Sequence, residues 1–347
     1  MAGGQAYDGY TLFCHTHETP EEGIGGLARM YLIDMEGRPV HEWTAKTAVQ
    51  YLQLLPDGNL LYSTRDRSSI EQAGLRQIDP ESNVVWSYHC RIDHDYQVLD
   101  NGNLLIHCLM DKMAPWIGPE LRRCPYLIEI TPDKELVWEW FGEHHCQDLR
   151  SLLAGDRWEY VERRVREDYP FDWAHNNTSQ SMPDNATASR DSRFRAGNIL
   201  FSYRSLDTIG VIDRGTGDII WAWGPGVLDG QHQPTMLPDG SILVFDNGTR
   251  RGWSRVIIMD PLSGEIIWEY HAEPRESFFS AYISGAQLLP NGNLLVCEGG
   301  PGRLFEVTPG KEMVWEYRSP YPARHGIYRA TRYSAEYVQP LLARTNR

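Results

Sequence analysis

Six times along this chain a strand-like run closes on a tryptophan, at Trp43, Trp86, Trp138, Trp221, Trp268 and Trp315. Recurrence at a roughly fixed period is the mark of a repeat architecture, in which each unit buries its apolar face only against its neighbours. A second motif interleaves with the first: Leu55-Pro-Asp-Gly58-Asn, Leu99-Asp-Asn-Gly102-Asn, Leu237-Pro-Asp-Gly240-Ser and Leu289-Pro-Asn-Gly292-Asn, with Gly197-Asn-Ile-Leu200 as a degenerate copy. Asp-Gly and Asn-Gly between apolar runs are hairpin turns, because both residues tolerate positive φ. A third element, Ile78-Asp-Pro, Ile130-Thr-Pro, Ile212-Asp-Arg, Met259-Asp-Pro and Val307-Thr-Pro, precedes each later tryptophan and marks another turn. Each unit is therefore four antiparallel strands, and four-stranded units repeated radially make a β-propeller. The tryptophan count gives an all-β, six-bladed propeller.

The tryptophans are unevenly spaced, so some units carry insertions. One spans Asp111 to Cys124. A larger one, about 143–170, has Leu149, Leu152, Leu153, Trp158, Val161 and Val165 at spacings that predict a small helical insertion. A third, polar one, Asn185 to Ala196, reads as a stretched hairpin loop. The start of the chain supplies three strands, Tyr10 to Phe13 and then Met30 to Trp43, and its end supplies one more near His325 to Ala330. N- and C-terminal strands are therefore expected to share the sixth blade, making residues 1–347 a single propeller domain.

The net charge of −14 leaves no basic face for nucleic acid or an anionic membrane. The first residues lack a charged leader and an apolar stretch, and the six cysteines show no Cys-x-x-Cys spacing, so a cytoplasmic protein with reduced thiols is expected. Oligomeric state is not legible.

In a propeller the first strand of each blade lines the channel, so one fixed repeat position converges on the axis. Eight residues before the turn glycines stand Gln50, His94, His232 and Ser284; the corresponding face in the third blade carries His175, and the shared strand begins at His325. Four of six axial positions are histidine in a chain with 12 histidines. Imidazole at a channel mouth can move protons, attack an electrophile or bind a metal near neutral pH. Arg65, Arg67, Arg204 and Arg250 fall on loops opening toward the same face, and guanidinium forks match sulfate, phosphate or carboxylate. A small anionic substrate is the expected partner. The competing structural role for these arginines is bracing loops through Asp66, Asp246 and Glu298. Tyr51 and Tyr96, beside axial positions, are either packing residues or proton donors.

The run Asp172-Trp-Ala-His175-Asn-Asn177, then Gly230-Gln-His232, then Phe245-Asp-Asn247-Gly and Arg250 resembles the bacterial arylsulfotransferase family, over about Asp172 to Tyr317. The resemblance implies a six-bladed propeller that moves a sulfuryl group between phenols through a transiently sulfated histidine, with no cofactor. It implies supporting roles for His175, His232 and Arg250. Asn177 and Asn247 of its motifs, together with the axial Gln50 and the loop residues Arg65 and Arg204, are the substrate-binding candidates. It also implies a nucleophilic histidine in the blade after the Gln-His motif, where this chain has Ser284. A second enzyme class fits the same residues: His94, His175, His232 and His325 could hold one divalent cation (Mn, Fe, Zn or Ni) for a lyase or hydrolase acting on a small acidic substrate, with Tyr51 or Tyr96 as base. The third class is a non-catalytic propeller scaffold.

Overall fold

The computed structural model of the protein describes residues 6–15, 27–64, 71–169, 171–320 and 326–345. It is a six-bladed β-propeller of four-stranded antiparallel sheets. Blade one holds Leu52–Leu54, Leu60–Thr64, Gly74–Ile78 and Val84–His89; blade two holds Ile92–Val98, Leu104–Met113, Leu121–Ile130 and Leu136–Phe141. Asn176–Ser181, Ile199–Tyr203, Thr208–Ile212 and Ile219–Trp223 form blade three, and His232–Met236, Ile242–Asp246, Arg255–Met259 and Ile266–Tyr270 form blade four. Gly285–Leu288, Leu294–Glu298, Arg303–Val307 and Met313–Arg318 make blade five. In the sixth, Ile327–Tyr333 pairs antiparallel with Tyr10–His15, so the two ends of the chain share a sheet with Ala28–Ile33 and Pro39–Ala45.

The hairpin motif explains its own recurrence. Gly58, Gly102, Gly240 and Gly292 all lie near φ +85°, a region costly for any residue with a Cβ. In each copy the side chain of the residue just before the glycine accepts the backbone N–H that follows the glycine, as in Asn59 N to Asp57 Oδ1 at 3.0 Å and Asn293 N to Asn291 Oδ1 at 3.1 Å.

A glutamine near the end of a blade's first strand supplies a link that the sequence reading missed. The first strand of a blade has an unpaired edge, and its N–H groups need acceptors. Gln97 Oε1 accepts from Ser181 N at 2.7 Å, Gln180 Oε1 from Met236 N at 2.9 Å, and Gln287 Oε1 from Arg332 N at 2.8 Å. Each bond runs from one blade's first strand to the next. Trp140 adds a similar link at the periphery, its Nε1 donating to Gly217 O at 2.7 Å.

The chain packs as two compact units, one of residues up to Ile92 together with those from Tyr282 onward, the other Asp93–Ala281. In the first, Leu12, Met30, Trp43, Leu54, Leu60 and Tyr62 form a buried cluster. It is joined by Val338 and Leu341 of a C-terminal helix, Ala335–Thr345, which the sequence reading did not foresee. In the second unit, blades two to four carry the helical insertion. It forms as expected: helices Cys146–Leu152 and Asp156–Arg163 lead into a π turn, Arg164–Asp168. Leu149, Leu153, Trp158, Val161 and Val165 are buried against Leu105, Leu127, Trp173 and Phe201.

The two other inserted segments also take defined forms. The insertion Asp111 to Cys124 takes the form of a lengthened hairpin: the second and third strands of blade two reach ten residues each, and 114–120 connect them. Asn185 to Ala196 lies, as expected, in a stretched hairpin connection, between the paired strands Asn176–Ser181 and Ile199–Tyr203, and folds there into two short 3-10 turns, each started by an Asx cap, with Asn185 Oδ1 accepting from Ala188 N and Asp191 Oδ1 from Arg193 N. Among the described residues no helix is long and apolar enough to cross a membrane.

Candidate active site

The site lies within the Asp93–Ala281 unit, where blades two, three and four begin. Backbone conformation marks the place: His94 (φ 57°), His175 (φ 45°) and Gln233 (φ 48°) are left-handed residues at the starts of these first strands. For a residue with a Cβ that conformation costs about 1–2 kcal/mol, so the surroundings must hold it. They do so through Arg204 N to His175 O at 3.2 Å, Ser205 N to Ala174 O at 3.1 Å, and Gln233 N to Thr178 Oγ1 at 3.1 Å. In blade four the left-handed residue is Gln233, so a break in register at His232 puts that histidine one residue out of step with His94 and His175.

The imidazoles of His94 and His175 nevertheless meet edge to face with centroids 4.7 Å apart. His232 is close enough to feel the charges of Arg204, His94 and His175.

His232 and His175 are each oriented by an acceptor at Nδ1, and this fixes their tautomers. Ser280 O can only accept, so Asn247 donates to it through Nδ2 at 2.8 Å and must turn Oδ1 toward His232 Nδ1, 2.7 Å away. Gly230 O, also an acceptor, lies 3.2 Å from the same nitrogen. His232 is therefore protonated at Nδ1 and carries its lone pair on Nε2. Burial pushes its pKa well below the ordinary value, Arg204 adds to the effect, and His94 and His175 add less; the Asn247 bond opposes them. His232 is a neutral imidazole at pH 7.

His175 has a different partner. Its Nδ1 lies 2.8 Å from Asp172 Oδ2, and its side chain is 27% exposed. Burial raises the Asp172 carboxyl, but the hydrogen bond and charge of His175 outweigh it, and the net pKa is below the usual range. His94 Nδ1 lies 2.7 Å from Asp93 Oδ2, with both side chains buried. Behind it, His107 Nδ1 lies 2.7 Å from Asp93 O, which again fixes an Nδ1 proton, and burial lowers the pKa of His107.

Arg204 supplies the cation. Its guanidinium reaches Ala281 O at 3.4 Å and runs beside Gly230, and it has no carboxylate partner among the described residues. Gly230 (φ +72°) has no room for a side chain, since a Cβ there would lie 2.5 Å from Thr249 Oγ1.

The other candidates fall as follows. Arg250 is braced between two carboxylates, with Nη2 2.7 Å from Asp207 Oδ2 and 2.9 Å from Asp229 Oδ1. Asp207 also receives the Tyr160 hydroxyl from the helical insertion and accepts from Gly230 N at 2.7 Å, which anchors the Gly-Gln-His turn. Of the bracing acids expected for the arginines, Asp246 pairs with Arg251 and Arg255, and Glu298 with Arg303. Asn177 is buried and donates to Gln231 O at 2.8 Å, so it positions the strand before His232. Tyr96 is buried.

In the other unit, Gln50 is buried, and the guanidinium of Arg329 lies 5.0 Å from the Tyr51 ring centre. The Ser284 hydroxyl accepts from Gly299 N at 2.9 Å. Arg65, Arg67 and His325 lie outside the described residues.

Sequence reasoning missed His107, Asp93 and Asp207. His107 sits five residues after its turn glycine, where the other blades have Ser63, Ser202, Phe245 and Cys297, so no repeat signal points to it.

Fold and site together define a propeller that gathers neutral and carboxylate-paired histidines beside an arginine. The chain belongs to the arylsulfotransferase (ASST) family, whose sequence pattern matches residues 52–320. No match was found among curated proteins. Among solved structures, the chain is similar in fold to a protein of unknown function from Bacteroides caccae, at 12% identity and TM-score 0.59, covering 94% of this chain and 99% of that one. Weaker likenesses are to virginiamycin B lyase from Staphylococcus aureus (12% identity, TM-score 0.46, 80% and 72% covered) and to AztD from Citrobacter koseri (10%, 0.44, 94% and 99%).

Proposed function

We propose that the protein is an arylsulfotransferase-like enzyme that moves a sulfuryl group from a small aryl sulfate to a phenolic acceptor at the pocket of His94, His175, His232 and Arg204. The observation that carries this is the family match over residues 52–320, a stretch that contains all four residues. The chemistry agrees with it. Sulfuryl transfer needs a nucleophile with an available lone pair and a cation for the non-bridging oxygens, and Nδ1-protonated imidazoles beside Arg204 supply both. Arg250, tied to Asp207 and Asp229, acts by holding the Gly230 turn. All six cysteines are free thiols, which supports a reducing, cytoplasmic setting.

One observation favours a second reading. Asp93, His94 and His107 each offer a ligand atom within 4.8 Å of the others, as a metal-dependent lyase or hydrolase would require. The donor set suits Zn, Mn, Fe or Ni. A panel of aryl sulfate donors with phenol acceptors, run with and without chelator beside elemental analysis, separates the two. Transfer that survives chelation supports the sulfotransferase. A stoichiometric ion, with activity lost on chelation, supports the metal enzyme and overturns the first reading.

A further inference from the structure

Resting on that reading, a question of charge decides which histidine can be the covalent carrier. When a neutral imidazole takes up a sulfuryl group at Nε2, its ring becomes cationic, so the carrier must sit where a positive ring is tolerated. His232 does not. It is 2% exposed, its Nδ1 partner is a neutral amide, and Arg204 already places a positive charge beside it. His94 has a carboxylate at 2.7 Å but only 8% of its side chain is exposed, which leaves little access for an aryl ester. His175 meets both requirements. Its Nδ1 faces the Asp172 carboxylate at 2.8 Å, and it is the most exposed of the three. Asp172 has a second anchor in Arg123, whose Nη1 lies 3.8 Å from the same oxygen.

The left-handed backbone at His175, fixed by Arg204 N and Ser205 N on either side, aims the ring from the end of a tight turn.

We propose that His175 Nε2 is the nucleophile and that Asp172 is its positioning residue. In the first half-reaction the Nε2 lone pair attacks sulfur and the S–O(aryl) bond breaks. The phenolate leaves with that electron pair and takes a proton from water. The sulfated imidazolium keeps its Nδ1–H on Asp172, whose negative charge balances the new positive one. In the second half-reaction the acceptor phenol attacks sulfur and the N–S bond breaks, returning its pair to Nε2. The phenol proton passes to the neighbouring His94, whose ring touches His175, and from there to water.

The experiment uses the intact protein and 4-nitrophenyl sulfate without acceptor, quenched in alkali to preserve N–S bonds, followed by peptide mass spectrometry. The expected result is a nitrophenol burst equal to the enzyme concentration and one sulfuryl group on the peptide bearing His175. His175→Gln is expected to lower turnover at least about a hundredfold, and His175→Gly to recover part of it with added imidazole. Asp172→Asn is expected to slow the burst by about ten- to hundredfold and to shift its pH profile, with Asp172→Glu partly restoring it. A purely structural Asp172 would lower stability without moving that profile. A sulfuryl group on His94 or His232, or steady turnover with no adduct and intersecting kinetics, overturns the inference while leaving sulfotransfer standing. Absence of transfer from every aryl sulfate tested overturns the proposed function and this inference with it.

Discussion

Replacing Arg332 by methionine should expose how much of the fold depends on the shared sixth blade. Arg332 lies on the C-terminal strand and its Nη1 meets Glu306 Oε2 at 2.6 Å, with both side chains wholly buried. Its Nε also donates to Thr11 Oγ1 at 3.0 Å, Nη1 to Tyr7 O at 3.2 Å, and the guanidinium lies 4.1 Å from the centre of the Trp315 ring. One side chain thus ties the C-terminal strand to the N-terminal strand and to blade five. Burial lowers the pKa of Arg332 to about 10 against the opposing pull of Glu306, so it is still charged at pH 7.

Methionine would leave the Glu306 carboxylate buried, still accepting from Tyr7 N at 2.8 Å, Asn293 Nδ2 at 2.7 Å and, more weakly, Asn291 Nδ2 at 3.5 Å. Removing one partner of a buried pair costs about 3–5 kcal/mol, and these surviving bonds place the loss at the low end, ~3 kcal/mol. That is about two powers of ten in the folded-to-unfolded ratio. Urea denaturation followed by tryptophan fluorescence reads it as a lower midpoint with an unchanged slope. The double variant Arg332→Met with Glu306→Leu should be more stable than the single one, because no charge is left stranded. A loss below about 1 kcal/mol, or a double variant no better than the single, would refute the argument.

Three further outcomes follow from the same structure. His107 and His232 have folded pKa values below the ordinary histidine value, so the unfolded chain binds more protons once the pH drops below about 6.5. Stability is therefore full above that pH and should fall as acid is added, by up to about 1.4 kcal/mol per pH unit for each histidine until its folded pKa is reached; a flat profile from pH 7 to 5 contradicts it. Arg204→Ala should raise KM for anionic aryl sulfates by about ten- to hundredfold and raise the His232 pKa, followed by imidazole NMR, since a charge-assisted contact and a repelling cation are both removed. Truncation before Tyr321 removes the strand Ile327–Tyr333 and the helix packed on Leu54, opening an edge along Tyr10–His15; loss of soluble expression is expected, and a monodisperse truncated protein would count against it.

Much of this molecule is written locally. Asp-Gly and Asn-Gly turns, period-two apolar strands and recurring tryptophans determine blade number, strand count and the sharing of the last blade, because backbone sterics and face burial act over a few residues. The insertion helices were legible for the same reason, through Leu149, Trp158 and Val165. Counting back from the turns also found His94, His175 and His232 as a set. What counting could not deliver is what each histidine is. That His232 is neutral, His175 carboxylate-paired and Arg250 a brace depends on Asn247, Asp172, Asp207 and Asp229, residues 3 to 43 positions away in sequence from the groups they act on. The register break at His232 and the unrepeated His107 have no periodic signal at all. Charge, tautomer and access are set by which side chains meet through space, and only the packed blades decide that.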